Sequence, residues 1–222
     1  YFTSAIAYAL GAFFLAVAGY FFSLIIFYSG STSFGPVFNN IAVILLFVLP
    51  LLSMRLIAEE KKSGTIEILL TRPIKDWQIV TGKFLAALVL YLVMLAFTVF
   101  YLFVVFKYGK VELAVLFSGY LGIFLVGASI LSLGIFISAL TSNQIIAAVA
   151  TFALCLILWL ISSSSGLTGG NENILSYISL SSHLDDFVNG TINLKNIIYY
   201  LSFIFFWIYL TTRILELRNW RQ

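Results

Sequence analysis

The chain has 222 residues, 62% of them hydrophobic and only 9% charged, with 12 Lys and Arg against 9 Asp and Glu. Mean hydropathy is +1.08, whereas soluble domains average about 25% charged residues; this excludes a water-soluble globular domain and predicts a helix bundle in lipid. The basic residues are few and not interleaved on one face, which argues against nucleic acid. One His and one Cys are too few for an ordinary zinc or iron site, so no metal is expected.

A hydrocarbon core ~30 Å thick takes about 20 helical residues to cross. Six crossings are predicted within one domain, residues 1–222, at about 2–28, 36–54, 84–106, 113–140, 145–161 and 196–212. The first residue is Tyr1 rather than Met, so the natural N-terminus is expected upstream or processed. Pro36 suits the first position of span two, and Pro50 should kink it. Asn39 and Asn40 should lie at its interfacial end.

Span four carries three small pairs at i, i+4: Ser118 with Gly122, Ala128 with Ser132, and Gly134 with Ser138. Such pairs let helices approach closely in lipid, and packing is the favoured reading over a substrate role. The short connection "TSNQ" (Thr141 to Gln144) makes spans four and five antiparallel neighbours. Apolar segments are continuous rather than alternating, which argues against a membrane β-barrel and leaves an all-α integral membrane protein.

With six spans both termini share a side. That side receives Arg55, Lys61, Lys62, Arg72, Lys75 and Lys83 from the loop 55–83, and Arg213, Arg218 and Arg221 from the tail. The other side receives only Lys107, Lys110 and Lys195. Positive residues gather inside, so the termini and the charged loop are expected in the cytoplasm and the loop 162–195 outside it.

The charged loop holds Glu59, Glu60, Lys61 and Lys62, a mixed-sign cluster poorly suited to anionic lipid alone. Gly64 breaks the chain after it. "TIEILL" then offers Ile66, Leu69 and Leu70 at helical spacing, with Thr65 as N-cap, Glu67 near the positive helix end, and Pro73 beyond. This predicts a short amphipathic helix at the membrane surface, lying either in headgroups or in a groove of a soluble partner.

The run "EEKKSGTIEILLTRPIKDWQIVTGKFLAAL" (Glu59 to Leu88) resembles the signature loop of ABC-type permeases of the second exporter class. It is most similar to the gliding-motility-associated permease and to the permease of nitrous oxide reductase maturation. "SALTSNQIIAAV" (Ser138 to Val149), "HLDDFVNGTI" (His183 to Ile192) and "LELRNW" (Leu215 to Trp220) extend the resemblance. It implies that the loop is a coupling helix docking on cytoplasmic ABC ATPase subunits through Glu59, Glu60, Lys61, Lys62, Gly64, Thr65, Glu67, Leu69, Leu70 and Pro73. It also implies a second permease copy or related membrane subunit, ATP and magnesium held by the ATPase rather than this chain, and a prokaryotic cytoplasmic membrane.

"TGKF" (Thr81 to Phe84) fails the phosphate-loop pattern, because Trp77 and Phe84 stand where Gly and Ser or Thr are needed. Ser182, His183, Asp185 and Asp186 evoke a hydrolase triad, but no Gly-x-Ser-x-Gly elbow is present, so no catalytic residue is assigned. A helix over this stretch is expected to put Leu184, Phe187 and Val188 on one face, with a capping box from Ser182 and Asp185 and an end at Asn189-Gly190. It is predicted to be an extracytoplasmic re-entrant or interfacial helix, with His183, Asp185, Asp186 and Phe187 as a candidate gate. No span carries a charge near its centre, which disfavours an ion-coupled carrier. The function expected is a non-catalytic permease subunit of an ATP-driven transporter. The alternative is ATP-driven transmission of motion to an extracytoplasmic auxiliary, maturation or gliding-motility complex without cargo.

Overall fold

A computed structural model describes residues 5–29, 34–65, 75–101, 103, 112–161 and 177–219. All regular structure among them is helical: α1 (Ala5–Ser29), α2 (Gly35–Ser53), α3 (Ala58–Ser63), α4 (Asp76–Thr98), α5 (Leu113–Leu140), α6 (Gln144–Leu160), α7 (Leu180–Val188) and α8 (Leu194–Asn219). Five stretches are long and apolar enough to cross a membrane, and α6 is a shorter apolar helix of 17 residues. α6 coincides with the fifth span, expected at about 145–161. α6 is held to that length at its start, where the side chain of Asn143 accepts from Ile145 N at 3.0 Å and caps the helix.

Helix α5 runs through the middle, packing against α2, α3, α4, α6, α7 and α8. Small residues make this central position possible. Its glycines receive side chains from three helices: Gly119 meets the Phe38 ring and Gly134 meets Ser53, both of α2, while Gly122 meets Phe187 of α7 and Gly127 meets the Tyr91 ring of α4. The Tyr91 hydroxyl, fully buried on α4, finds Ile123 O on α5 at 2.7 Å. A buried phenol needs such a partner in an apolar medium.

The outer helices present apolar surface outward. α6 buries Ala147, Ala148, Thr151 and Cys155 along one stripe and exposes Ile145, Ile146, Val149, Leu154, Ile157 and Leu160. α1 packs on α2 and α4 while Tyr8, Phe13, Tyr20 and Phe27 face out. In water these faces would be a liability; in hydrocarbon they cost nothing.

Span two begins as expected, with Pro36 in the first turn, Asn39 exposed and Asn40 bonded to Pro36 O. The helix of span three opens at Asp76, one of the two starts the sequence offers and eight residues ahead of the apolar stretch from Phe84; Gln78 Oε1 accepts the orphan Lys75 N–H there at 3.2 Å. The last helix also extends beyond its apolar stretch, from Leu194 to Asn219.

The central packing sets a test. A Cβ at position 122 would lie 2.6 Å from Phe187 Cβ, whereas one at Gly82 would meet nothing within 4 Å. Gly122→Ala should lower stability by about 1–3 kcal/mol, read as thermal unfolding in detergent, while Gly82→Ala should leave it unchanged or slightly raised.

Candidate functional site

The charged segment is anchored through a break in the chain after α2. Pro50 supplies no N–H of its own, and the helix tightens past it, with Met54 N on Pro50 O at 3.0 Å and Leu56 N on Ser53 O at 3.1 Å. The N–H groups of Ile57 and Ala58, both buried, then need partners from elsewhere. Ser138, near the end of α5, supplies them. Its Oγ accepts from Ile57 N at 3.0 Å and Ala58 N at 2.9 Å and donates to Met54 O at 3.0 Å. One donor and two lone pairs are all a hydroxyl has, and the elbow uses all three.

Two lysines complete the anchorage. Lys83, from α4, donates to Leu56 O at 2.7 Å and forms an ion pair with Glu60. Lys61 donates to Ala139 O at the end of α5. Thus Glu60 and Lys61, expected to face a partner, turn inward against the bundle. The outward groups are Glu59, Lys62, Ser63, Gly64 and Thr65, all exposed. Nε of Arg55 and Oε2 of Glu60 are buried with no hydrogen-bond partner among the described residues, a costly condition for each.

A helix of this segment lies ahead of "TIEILL", of which residues 66–70 are outside the described residues. α3 spans Ala58–Ser63 and ends where Gly64 takes φ +72°, a left-handed turn that favours glycine. Its charges suit that position: Glu59 and Glu60 sit in the first turn, Lys61 and Lys62 in the last, each opposing the helix dipole. The Thr65 hydroxyl lies 2.8 Å from Ser63 Oγ, and the N–H groups it is expected to cap fall outside the described residues. Glu67, Leu69, Leu70 and Pro73 lie outside the described residues.

At the opposite end of α5 sits α7. It starts at Leu180 after Ser179, not at Ser182, so the Ser182–Asp185 capping box does not form; Ser182 Oγ instead bonds Ser179 O at 3.2 Å. Leu184, Phe187 and Val188 are buried on one face as the spacing predicts, and Asn189 and Gly190 (φ +86°) end the helix. Three spans hold it. Ser118 of α5 donates to Phe187 O at 2.6 Å, Ser181 donates to Trp159 O of α6 at 2.9 Å, and Tyr200 of α8 donates to Leu180 O at 2.8 Å.

Of the four candidate gate residues, His183 and Asp186 come together, lining a cavity of about 660 Å³ with Tyr177, Lys195, Asn193 and Asn196. Asp185 is exposed and lines no part of it, and Phe187 is buried in the bundle. The His183 ring stacks on Tyr199 at 3.9 Å between centroids, and its Nδ1 meets Ser179 O at 2.9 Å. A carbonyl only accepts, so Nδ1 carries the proton. Asp186 Oδ2 accepts from Asn193 at 2.6 Å and Asn196 at 2.8 Å, bonds that hold its carboxyl below the usual range. Burial, and then the neighbouring Asp186, raise Asp185 instead.

This is the bundle of a multi-pass membrane protein, with a charged elbow clamped at one end and a short capping helix at the other. A family model described as "ABC-2 family transporter protein" matches residues 34–221. The chain belongs to that family, and so is a membrane transport component of a generally non-catalytic kind. No curated protein matches its sequence.

The elbow and the cap each set a test. Ser138→Ala leaves two buried N–H groups and a carbonyl unpaired and should cost about 1–3 kcal/mol in thermal unfolding, whereas Ser63→Ala, on the exposed side of α3, should cost little. Burial holds His183 below its ordinary value of 6.5 against the opposing pull of Ser179 O. The unfolded chain then takes the proton first, so this contribution is complete above pH 6.5 and is lost as pH falls through that value towards the lower folded one. Acidification from about pH 7.5 to about pH 5.5 should lower the unfolding midpoint, and His183→Gln should flatten that dependence.

Proposed function

We propose that the chain is the permease subunit of an ATP-driven ABC transporter, working as one of a pair of membrane subunits with cytoplasmic ATPase subunits that carry the ATP and magnesium. It crosses a prokaryotic cytoplasmic membrane six times with both termini inside, α6 being the short fifth span; 17 residues are within the range that spans hydrocarbon. Nine basic residues on the α3 side against three on the other support the orientation. The likeness to the gliding-motility and nitrous-oxide-maturation permeases, carried by the order of motifs from Glu59 to Trp220, makes export or translocation of a cargo the favoured reading of the cycle.

The observation that carries the proposal is the clasp on α3. A surface loop that merely rested in headgroups would have no need of Ser138, Lys83 and Lys61 to tie its backbone into two spans. Tied in this way, a push on α3 is delivered to α5 and α4 rather than lost as loop bending. Its exposed charges Glu59 and Lys62, with the segment through Pro73, form the face offered to the ATPase, while Glu60 and Lys61 act behind it.

Co-reconstitution with the ATPase subunit tests this. Lys62→Glu should weaken ATPase association roughly tenfold through like-charge contact without changing thermal stability. Ser138→Ala should leave association intact yet lower permease-stimulated ATP hydrolysis. Normal association in the first variant together with normal stimulation in the second would refute the coupling role.

A further inference from the structure

The cavity beside α7 has a definite chemical character. Because His183 gives its Nδ1 proton to Ser179 O, the neutral ring leaves Nε2 as a bare acceptor. Asp186 spends Oδ2 on the two Asn amides, so Oδ1 keeps its acceptor capacity and its charge. The same amides, having donated their N–H groups, leave their carbonyl oxygens as further acceptors. The cavity thus holds a cluster of acceptors around one carboxylate, suited to a group with several N–H donors and a positive charge.

A cation of the chain itself marks the rim. Lys195 lies with its ammonium 4.8 Å from the centroid of the Tyr177 ring, within the range of cation–π attraction. Being exposed, it can serve an anion on the same ligand. Carboxylate and ammonium across one cavity fit a zwitterion: amine inward to Asp186, anion outward to Lys195.

Depth narrows the choice. Asn193, Lys195 and Asn196 straddle the start of the membrane-spanning stretch Leu194–Leu217, which puts the cavity at headgroup level. We propose that this cavity binds a phosphoethanolamine group, with the primary amine on Asp186 Oδ1 and His183 Nε2 and the phosphate on Lys195. A quaternary amine has no N–H to give these acceptors, and a headgroup without an amine leaves them unpaired. The volume of about 660 Å³ holds such a group with room for water. The proposal uses the orientation given above but is independent of ATP coupling.

The test is competitive lipid retention, by native mass spectrometry, on the full chain purified in mild detergent with its partner subunits. Phosphatidylethanolamine, phosphatidylcholine and phosphatidylglycerol are offered in equal amounts. Wild type should retain the ethanolamine lipid about tenfold over the other two, as expected for charge-assisted hydrogen bonds. Lys195→Ala, at an exposed position, and Asp186→Asn should each erase the preference, while Lys62→Ala at the other end of the bundle should not. Free phosphoethanolamine added as competitor identifies the source: displacement shows that the soluble group suffices, and retention against it shows that the lipid is the ligand. Equal retention of all three lipids by wild type, or a preference surviving in both Lys195→Ala and Asp186→Asn, would overturn the proposal. ATP coupling measured on the same samples keeps the outcomes separate, since a lost headgroup preference with normal coupling refutes only this inference.

Discussion

A single serine hydroxyl makes the α3 end of this bundle what it is. A chain that leaves a helix inside a membrane protein exposes N–H and C=O groups that lipid cannot satisfy. Between Met54 and Ala58 that obligation is met by Ser138, reaching across from α5. The bundle can therefore carry a sharp elbow at depth instead of letting α2 run on to the surface. Everything that follows the elbow, including the direction of α3 and the set of charges it shows outward, inherits its position from that contact. Lys83 and Lys61 then fix the rotation of α3 by holding Leu56 O, Glu60 and Ala139 O.

The sequence carries two kinds of information here, and they differ in reach. Composition and run length are local, so the bounds of α2 and α5, the tight connection into α6 and the end of α7 at Asn189-Gly190 were all readable. The small residues of α5 were readable as packing residues too, since i, i+4 spacing sets them on one face. What Ser138 bonds was not, because its partners lie about 80 residues away in the chain and no periodicity points to them. The same holds for His183, whose stack on Tyr199 needs α7 and α8 placed side by side.

A helix over Ala58–Ser63 was unreadable for a different reason. "TIEILL" shows the apolar period of an amphipathic helix, whereas "AEEKKS" shows almost none. α3 forms over the latter because its acids lie at the start and its bases at the end, and because Gly64 supplies the left-handed turn that stops it. Electrostatics and capping decided a six-residue helix that hydropathy could not see. The inward turn of Glu60 was hidden for a similar reason: in a sparsely charged chain, Lys83 is the ion partner that the fold brings nearest.

The helices linking the two ends decide how the molecule can move. α5 and α6 are joined by Thr141, Ser142 and Asn143 alone, with Asn143 committed to capping α6. So short a hairpin allows almost no axial slip between its arms. α7 is stitched to both arms, to α5 through Ser118 and to α6 through Trp159 O. The three form a braced triangle, and a triangle deforms only by breaking a side. Any opening at the α7 end must therefore carry this triangle as a block and part it from neighbours along α2, α4 or α8, like a door hung on its own frame rather than a flap within it.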